Sequence, residues 1–179
     1  LKDKTNLRDI LDGSAHLIFT GDAVHPRSSA INSPEAYEDS FCVMLLIMTL
    51  KAENPFNVHY LIGNHDNAHV GGLPAGRGQV RQDELFEAFI LQKFGRTVFD
   101  RYCDFVNMSP VSAKLKTPTG YVLLVHAGLS PRILNDAGLI NILVKGRQSV
   151  ALQDLLWSRN YEAAVLDRCM ASVGVKFII

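Results

Sequence analysis

Three short apolar runs in this sequence each stop at a side chain that can hold a metal ion or move a proton. Tyr60-Leu61-Ile62-Gly63 runs into Asn64-His65-Asp66, Leu17-Ile18-Phe19-Thr20 into Gly21-Asp22, and Val122-Leu123-Leu124-Val125 into His126-Ala127-Gly128. Apolar runs of this length closed by glycine read as buried strands. In open α/β sheets, ligands sit just beyond the carboxyl ends of the strands. Asp22, Asn64 and His126 offer a carboxylate, an amide oxygen and an imidazole. This oxygen and nitrogen set suits Mn, Fe, Zn or Mg better than a thiolate metal. A carboxylate can bridge two cations, so Asp22 is the natural shared ligand of a two-metal site. His65, beside Asn64 in the chain, is placed to donate a proton to a leaving group. Each residue also has a bland reading, as a turn former, helix cap or packed histidine. The force of the reading lies in the set. His16, His59 and His69 are taken as packed or surface groups without a role.

The elements that must position these residues follow from the flanking pattern. A helix over roughly 1–11 leads to strand one at 15–20, with Gly13 as its stop. Ser33-Pro34 opens a long helix from Glu35 to about Glu53. Its second half is apolar nearly all round, which predicts burial on several sides. Strand two covers 58–62. The Gly-rich stretch 71–78 is a flexible connector or a lid over the site. Helices are predicted at 82–94 and 96–110. A β-hairpin follows at 109–116 and 121–126, turning at Thr117-Pro118-Thr119-Gly120. Ser130-Pro131 begins a helical turn, Ser149 caps a helix to Trp157, and Asn160 caps one to about Ser172. Val175–Ile179 is a last strand. Alternating strands and helices predict an α/β fold with a largely parallel sheet.

Length and composition set bounds. A chain of 179 residues, 47% hydrophobic and 20% charged, is expected to form one domain spanning 1–179. Zero formal net charge gives no global pull toward nucleic acid or acidic membranes. The longest apolar stretch, 41–50, is half of what a membrane span needs. Cys42, Cys103 and Cys169 show no metal spacing and read as buried free thiols in a reducing, cytoplasmic setting. Oligomeric state is open.

Gly21-Asp22, Gly63-Asn64-His65-Asp66, His126-Ala127-Gly128-Leu129-Ser130-Pro131 and Leu155-Leu156-Trp157-Ser158-Arg159 together resemble the calcineurin-like metallophosphoesterases. The likeness is greatest to the bacterial-type PPP branch of serine/threonine phosphatases and covers about 15–179. It implies a β-sandwich flanked by helices in αββα layers, with metals at the C-terminal ends of strands. It implies that Asp22 bridges two divalent ions, that Asn64 and His126 ligate the second, and that His65 is the general acid. The implied reaction is direct attack of a metal-bound hydroxide on phosphorus. A phosphorylated protein or small phosphoester is the implied substrate.

Three departures from the pattern stand out. No Gly-Asp-x-His-Gly motif precedes Asp22, and no Gly-His dipeptide occurs anywhere in the sequence, so the chain is expected to lack both ends of a longer protein. The expected Gly-Asp-x-x-Asp-Arg-Gly reads Gly21-Asp22-Ala23-Val24-His25-Pro26-Arg27. His25 therefore stands where a carboxylate would orient the general acid, and Pro26 where an arginine would grip phosphate. Candidate phosphate binders are Arg159 and Arg27, with Arg132 and Arg77 behind them; Arg77 reads as a surface group. Asp66 is a further candidate to orient His65. Two alternatives accompany the phosphatase reading: a dinucleoside polyphosphate hydrolase or phosphodiesterase on the same scaffold, and a non-catalytic binding protein on a decayed one.

Overall fold

A computed structural model describes residues 4–26, 32–129, 146–159 and 162–179. Helix α1 (Lys4–Asp12) ends at Gly13, which takes φ +88°. It leads into β1 (Leu17–Phe19), which pairs in parallel with β2 (Val58–Tyr60). The register Leu17↔Val58 and Phe19↔Tyr60 is extended by the Leu61 amide donating to the Phe19 carbonyl at 2.8 Å. This places the two strand ends side by side, so Gly21-Asp22 and Gly63-Asn64 emerge together.

Between these strands lies α2 (Glu38–Glu53), entered through a 3₁₀ turn at Pro34–Tyr37 rather than directly as an α-helix. Only one stripe of α2 is buried, at Phe41, Met44 and Ile47. The expectation that its second half is enclosed on several sides fails: Val43, Leu45 and Leu46 are 48%, 49% and 58% exposed. A helix packed against one layer buries about a third of its circumference, whatever residues occupy the rest.

After β2 the chain enters a short helix, α3 (Asn64–Ala68), and not a loop. Residues 71–78 then lead into a small hairpin of β3 (Gly76–Arg77) and β4 (Val80–Arg81). The Gly-rich stretch is anchored at Gly72 and Ala75, with Ala75 fully buried and its carbonyl accepting from the Asp83 amide. A Cβ on Gly72 would stand 2.2 Å from the Asn67 amide nitrogen. Helices α4 (Gln82–Lys93) and α5 (Arg96–Met108) follow and contribute Phe86, Phe89, Ile90, Phe99, Tyr102 and Val106 to the core.

The expected hairpin is present as β5 (Ser112–Thr117) and β6 (Gly120–Val125). The run Val122–Val125 is buried at every position, as a strand covered on both faces must be. Leu123 and Val125 join the main core, whereas Val122 and Leu124 pack with Leu61 in a second cluster. Helix α6 (Val150–Trp157) is capped by Ser149, whose hydroxyl accepts from the Leu152 amide. Helix α7 (Ala163–Val173) ends at Gly174 in the left-handed conformation, and β7 (Phe177–Ile178) pairs in parallel with β6. The expected helical turn at Ser130-Pro131 and the Asn160 cap lie outside the described residues.

The α/β class stands, but the sheets are mixed. The strands β1 and β2 are parallel, while β6 lies antiparallel to β5 and parallel to β7. An apolar run reports burial on both faces, not the direction of its neighbour, so a parallel sheet was only one of its readings. Of the cysteines only Cys169 is buried, and Cys42 is exposed.

The close approach of the β1 and β2 ends depends on Gly63. A Cβ there would stand 2.1 Å from Asp22 Oδ1 and 2.7 Å from the Asp22 amide nitrogen. Its φ of −98° suits any residue, so the barrier is purely steric. Gly63→Ala is expected to cost about 2–3 kcal/mol in urea unfolding, at the upper end of overpacking penalties. Gly71→Ala, where φ is +91° and nothing lies within 4 Å, should cost about 1 kcal/mol through backbone strain alone. Equal costs would show that the close approach is not rigid.

Candidate functional site

The site is built where β1, β2 and β6 end. Gly21 (φ +95°) and Asp22 (φ +58°) turn the chain sharply back over the start of α3. Aspartate tolerates this left-handed conformation better than most residues, at a cost of about 1–2 kcal/mol. Asp66 holds it there. This fully buried carboxylate accepts through Oδ2 from the Asp22 amide at 2.9 Å, the Gly63 amide at 2.8 Å and the Tyr60 hydroxyl at 2.9 Å. Asp66 therefore fastens the two strand ends and does not orient His65. Burial and the nearby Asp22 charge push its carboxyl up to about 6, against the pull of those donors. In return, Asp22 Oδ1 accepts from the His65 amide at 2.9 Å.

His126, from the end of β6, completes a convergence of three donors. Its Nε2 lies 3.1 Å from Asp22 Oδ2 and 2.9 Å from Asn64 Oδ1. Its Nδ1 lies 2.6 Å from the Thr20 carbonyl, which can only accept. Nδ1 must then carry a proton, which leaves Nε2 with a lone pair for a cation. A carboxylate and an amide oxygen face that same lone pair. The geometry therefore needs a positive centre, either a proton on Nε2 or a metal ion. Metal bonds of about 2.0–2.2 Å hold neighbouring donors about 3 Å apart, the spacing found here. Burial works against charge on His126, but the hydrogen bond and charge of Asp22 outweigh it and raise its pKa. Burial alone would likewise raise Asp22; His126 and His65 hold it below its ordinary value. Asp22, Asn64 and His126 thus fit a divalent cation. Among the described residues no group of three or more His, Cys, Asp and Glu side chains forms a metal cluster, so the amide of Asn64 is an essential part of the set.

His65 stands beside this convergence with its ring stacked on Trp157, centroids 6.4 Å apart. Its Nδ1 meets His25 Nδ1 at 2.5 Å, and His25 Nε2 meets His69 Nε2 at 3.1 Å. His25 therefore occupies the place that its motif position implied. His69 had been set aside as a packed group, and it is one, against Phe86, Phe99 and Tyr102, but it also touches His25. The signal was present in the spacing: positions 65 and 69 share one face of a helix. Reading it required α3 to be a helix, and four polar residues and an alanine gave no apolar period to say so.

Asp22, His25, His65, His126, Arg77 and Arg159 line one cavity of about 390 Å³. That volume lies within the range of small-molecule sites. Arg159 is exposed and lines it. Arg77, read as a surface group, also lines the cavity from β3. Gln82 donates to the Pro26 carbonyl at 2.9 Å and anchors the loop after Asp22. Arg27 and Arg132 lie outside the described residues.

Burial holds His69 neutral, its pKa pushed down to about 4. The unfolded value is about 6.5. Between these values the unfolded chain binds a proton that the folded chain does not, so this contribution to stability is complete above pH 6.5 and is lost as pH falls toward 4. The slope is at most about 1.4 kcal/mol per pH unit. Asp66 acts in the opposite sense, because its raised pKa lets the fold take up a proton first as pH falls. The difference between variants isolates the histidine. Urea unfolding of His69→Gln should track the parent above pH 7 with a constant offset, then gain on it by about 1 kcal/mol per pH unit between 6.5 and 4.5. Parallel curves throughout would contradict a neutral buried His69.

Residues 4–175 match the family model described as calcineurin-like phosphoesterase. Among solved structures, the chain is similar to a protein serine/threonine phosphatase from Saccharomyces cerevisiae, itself described as similar to human phosphatase PP5. The identity is 20% and the TM-score 0.60, with 87% of this chain and 48% of that one covered. No curated protein sequence matches. At this identity the structural likeness speaks for the fold, and the chain spans about half the length of that phosphatase. The family model covers nearly all of the sequence, and the expected resemblance holds: the chain belongs to the calcineurin-like phosphoesterases, a family that generally uses divalent metal ions.

Proposed function

We propose that this chain carries the hydrolytic site of a metal-dependent phosphomonoesterase, with phosphoprotein as its substrate in the manner of the PPP phosphatases. The observation that carries the reading is the arrangement at His126. Its Nδ1 is committed to the Thr20 carbonyl, and its Nε2 meets the Asp22 carboxylate and the Asn64 amide oxygen. Asp22, Asn64 and His126 would hold a divalent cation, and a second ion beside Asp22 is part of the proposal, Mn, Fe, Zn and Mg being the candidates. Such ions supply charge neutralisation at the phosphoryl oxygens and a water acidic enough to attack at neutral pH.

The chain's own groups do the rest. Arg77 and Arg159 line the cavity and can receive the remaining phosphoryl oxygens through planar N–H pairs. With zero net charge on the chain, attraction of an anionic ester must come from these local cations. His65 lines the same cavity and can pass a proton to the departing alkoxide. Burial lowers its pKa, and the Asp22 charge opposes that shift and favours the protonated ring.

The test uses the full-length protein loaded with Mn²⁺ and offered aryl phosphates, phosphopeptides and dinucleoside polyphosphates. Turnover of the first two is expected, with His65→Asn lowering kcat by about 10²–10⁴-fold. Arg159→Ala should act mainly on KM. Turnover confined to the polyphosphates would move the assignment to a nucleotide hydrolase on the same scaffold. Absence of any turnover that His65→Asn removes would contradict the hydrolase reading.

A further inference from the structure

His16 and His59, which the residue pattern left without a role, meet at the other end of the same two strands. His16 stands just before β1 and His59 in the middle of β2. The register Leu17↔Val58 and Ile18↔His59 puts positions 16, 18, 59 and 61 on one face, with His16 diagonal to His59. His16 Nδ1 lies 3.0 Å from His59 Nε2, the rings 5.2 Å apart between centroids and tilted by 30°. About five residues at about 3.3 Å each, roughly 16 Å, separate His59 from Asn64, so the pair lies apart from the site at the carboxyl ends of the strands. His16, Ile18, His59 and Leu61 line a cavity of about 390 Å³ together with Ala113 and Leu124, and this opening gives a hydrated ion a path to both rings.

The His59 ring also bonds to the Phe56 carbonyl, which can only accept. With Nε2 turned to His16, that bond falls to Nδ1, which must carry the proton. Nε2 is then a bare lone pair, in the arrangement that metal-binding histidines show when a carbonyl holds the other nitrogen. Burial, the Lys51 charge and His16 all lower the pKa of His59, so the ring is neutral at neutral pH. We propose that His16 and His59 form a separate metal site, a two-imidazole chelate for Cu²⁺ or Ni²⁺ at the amino end of β1 and β2. Bonds of about 2.0–2.1 Å to two nitrogens spaced as these are would subtend about 90–100° at the ion. A tetrahedral ion would need the nitrogens about 3.3–3.4 Å apart. The observed 3.0 Å is thus the spacing of adjacent corners in a square-based arrangement, the geometry of Cu²⁺ and Ni²⁺ with nitrogen and oxygen donors. Water takes the remaining corners. Without an ion, His16 Nδ1–H donates to His59 Nε2. When the ion binds, the exposed His16 ring moves its proton to Nε2, where water accepts it, and no proton is lost from the pair. The Lys51 charge opposes a cation, and its Nζ is tied to the Pro55 carbonyl at 2.6 Å, so the two lone pairs must supply the affinity.

The experiment is a Cu²⁺ titration of the tag-free full-length protein carrying His126→Ala, which weakens the candidate cation site, read by electron paramagnetic resonance at neutral pH. A bound Cu²⁺ with the nitrogen hyperfine pattern of two imidazoles is expected. His16→Asn and His59→Asn should each weaken that ion by about tenfold or more, and the double substitution should add little, because one ion needs both rings. His16 is exposed, so its substitution reads the site and not the fold. Cu²⁺ binding that neither substitution alters, or two ions each lost with one histidine, would show adventitious ions only and overturn the proposal. The readout needs no turnover, so it stands or falls independently of the hydrolase reading.

Discussion

The structure depends on one buried carboxylate. Asp66 accepts from the backbone amides of Asp22 and Gly63 and from the Tyr60 hydroxyl, and so joins the residue after β1 to the residues at the end of β2. Hydrogen bonds to a charged acceptor contribute about 1.5–3 kcal/mol each, enough to hold Asp22 in its left-handed conformation. Without that conformation the Asp22 carboxylate would not be turned toward His126 and the His65 amide. The desolvation of Asp66 is only partly offset, as its raised pKa records. A buried charge kept for geometry at some cost in stability is common at functional sites.

From that fastening the rest of the site follows. The β1 and β2 ends lie side by side because Gly63 has no Cβ to separate them. The third end arrives from a different sheet, with His126 held to Thr20 by one ring nitrogen and to Asp22 and Asn64 by the other. Three chain segments far apart in sequence thus meet at one set of lone pairs. Helix α3 then serves two purposes within five residues: Asn64 faces the lone-pair set, and His65 faces His25. The aromatic wall of α4 and α5 closes the far side of the histidines. The cavity edge keeps its charged groups, Arg77 and Arg159, on the solvent side.

Much of this was legible in the residues. The strand ends at Asp22, Asn64 and His126 were marked by apolar runs stopping at polar groups, and those three residues do meet. The turn at Thr117-Pro118-Thr119-Gly120 marked the hairpin. What was not legible had physical reasons. Strand direction leaves no trace in an apolar run, so a largely parallel sheet was expected, and only the turn at 117–120 revealed that β5 and β6 are antiparallel. Asp66 works through backbone amides brought together only by the fold, and nothing in Asn64-His65-Asp66 distinguishes a fastening carboxylate from an orienting one. Arg77 looked like a loop residue because the two-residue strands that place it carry almost no periodic signal. The apolar residues of α2 suggested enclosure that the packing of its single buried stripe does not provide.

The central claim is that Asp22, Asn64 and His126 form one cation site. Titration of Mn²⁺ into the metal-free full-length protein, followed by electron paramagnetic resonance, tests it most directly. The account predicts Mn²⁺ binding that Asp22→Asn and His126→Ala each weaken by about tenfold or more, in line with the loss of a metal-site residue. No bound Mn²⁺ in the parent, or binding unchanged by both substitutions, would contradict it.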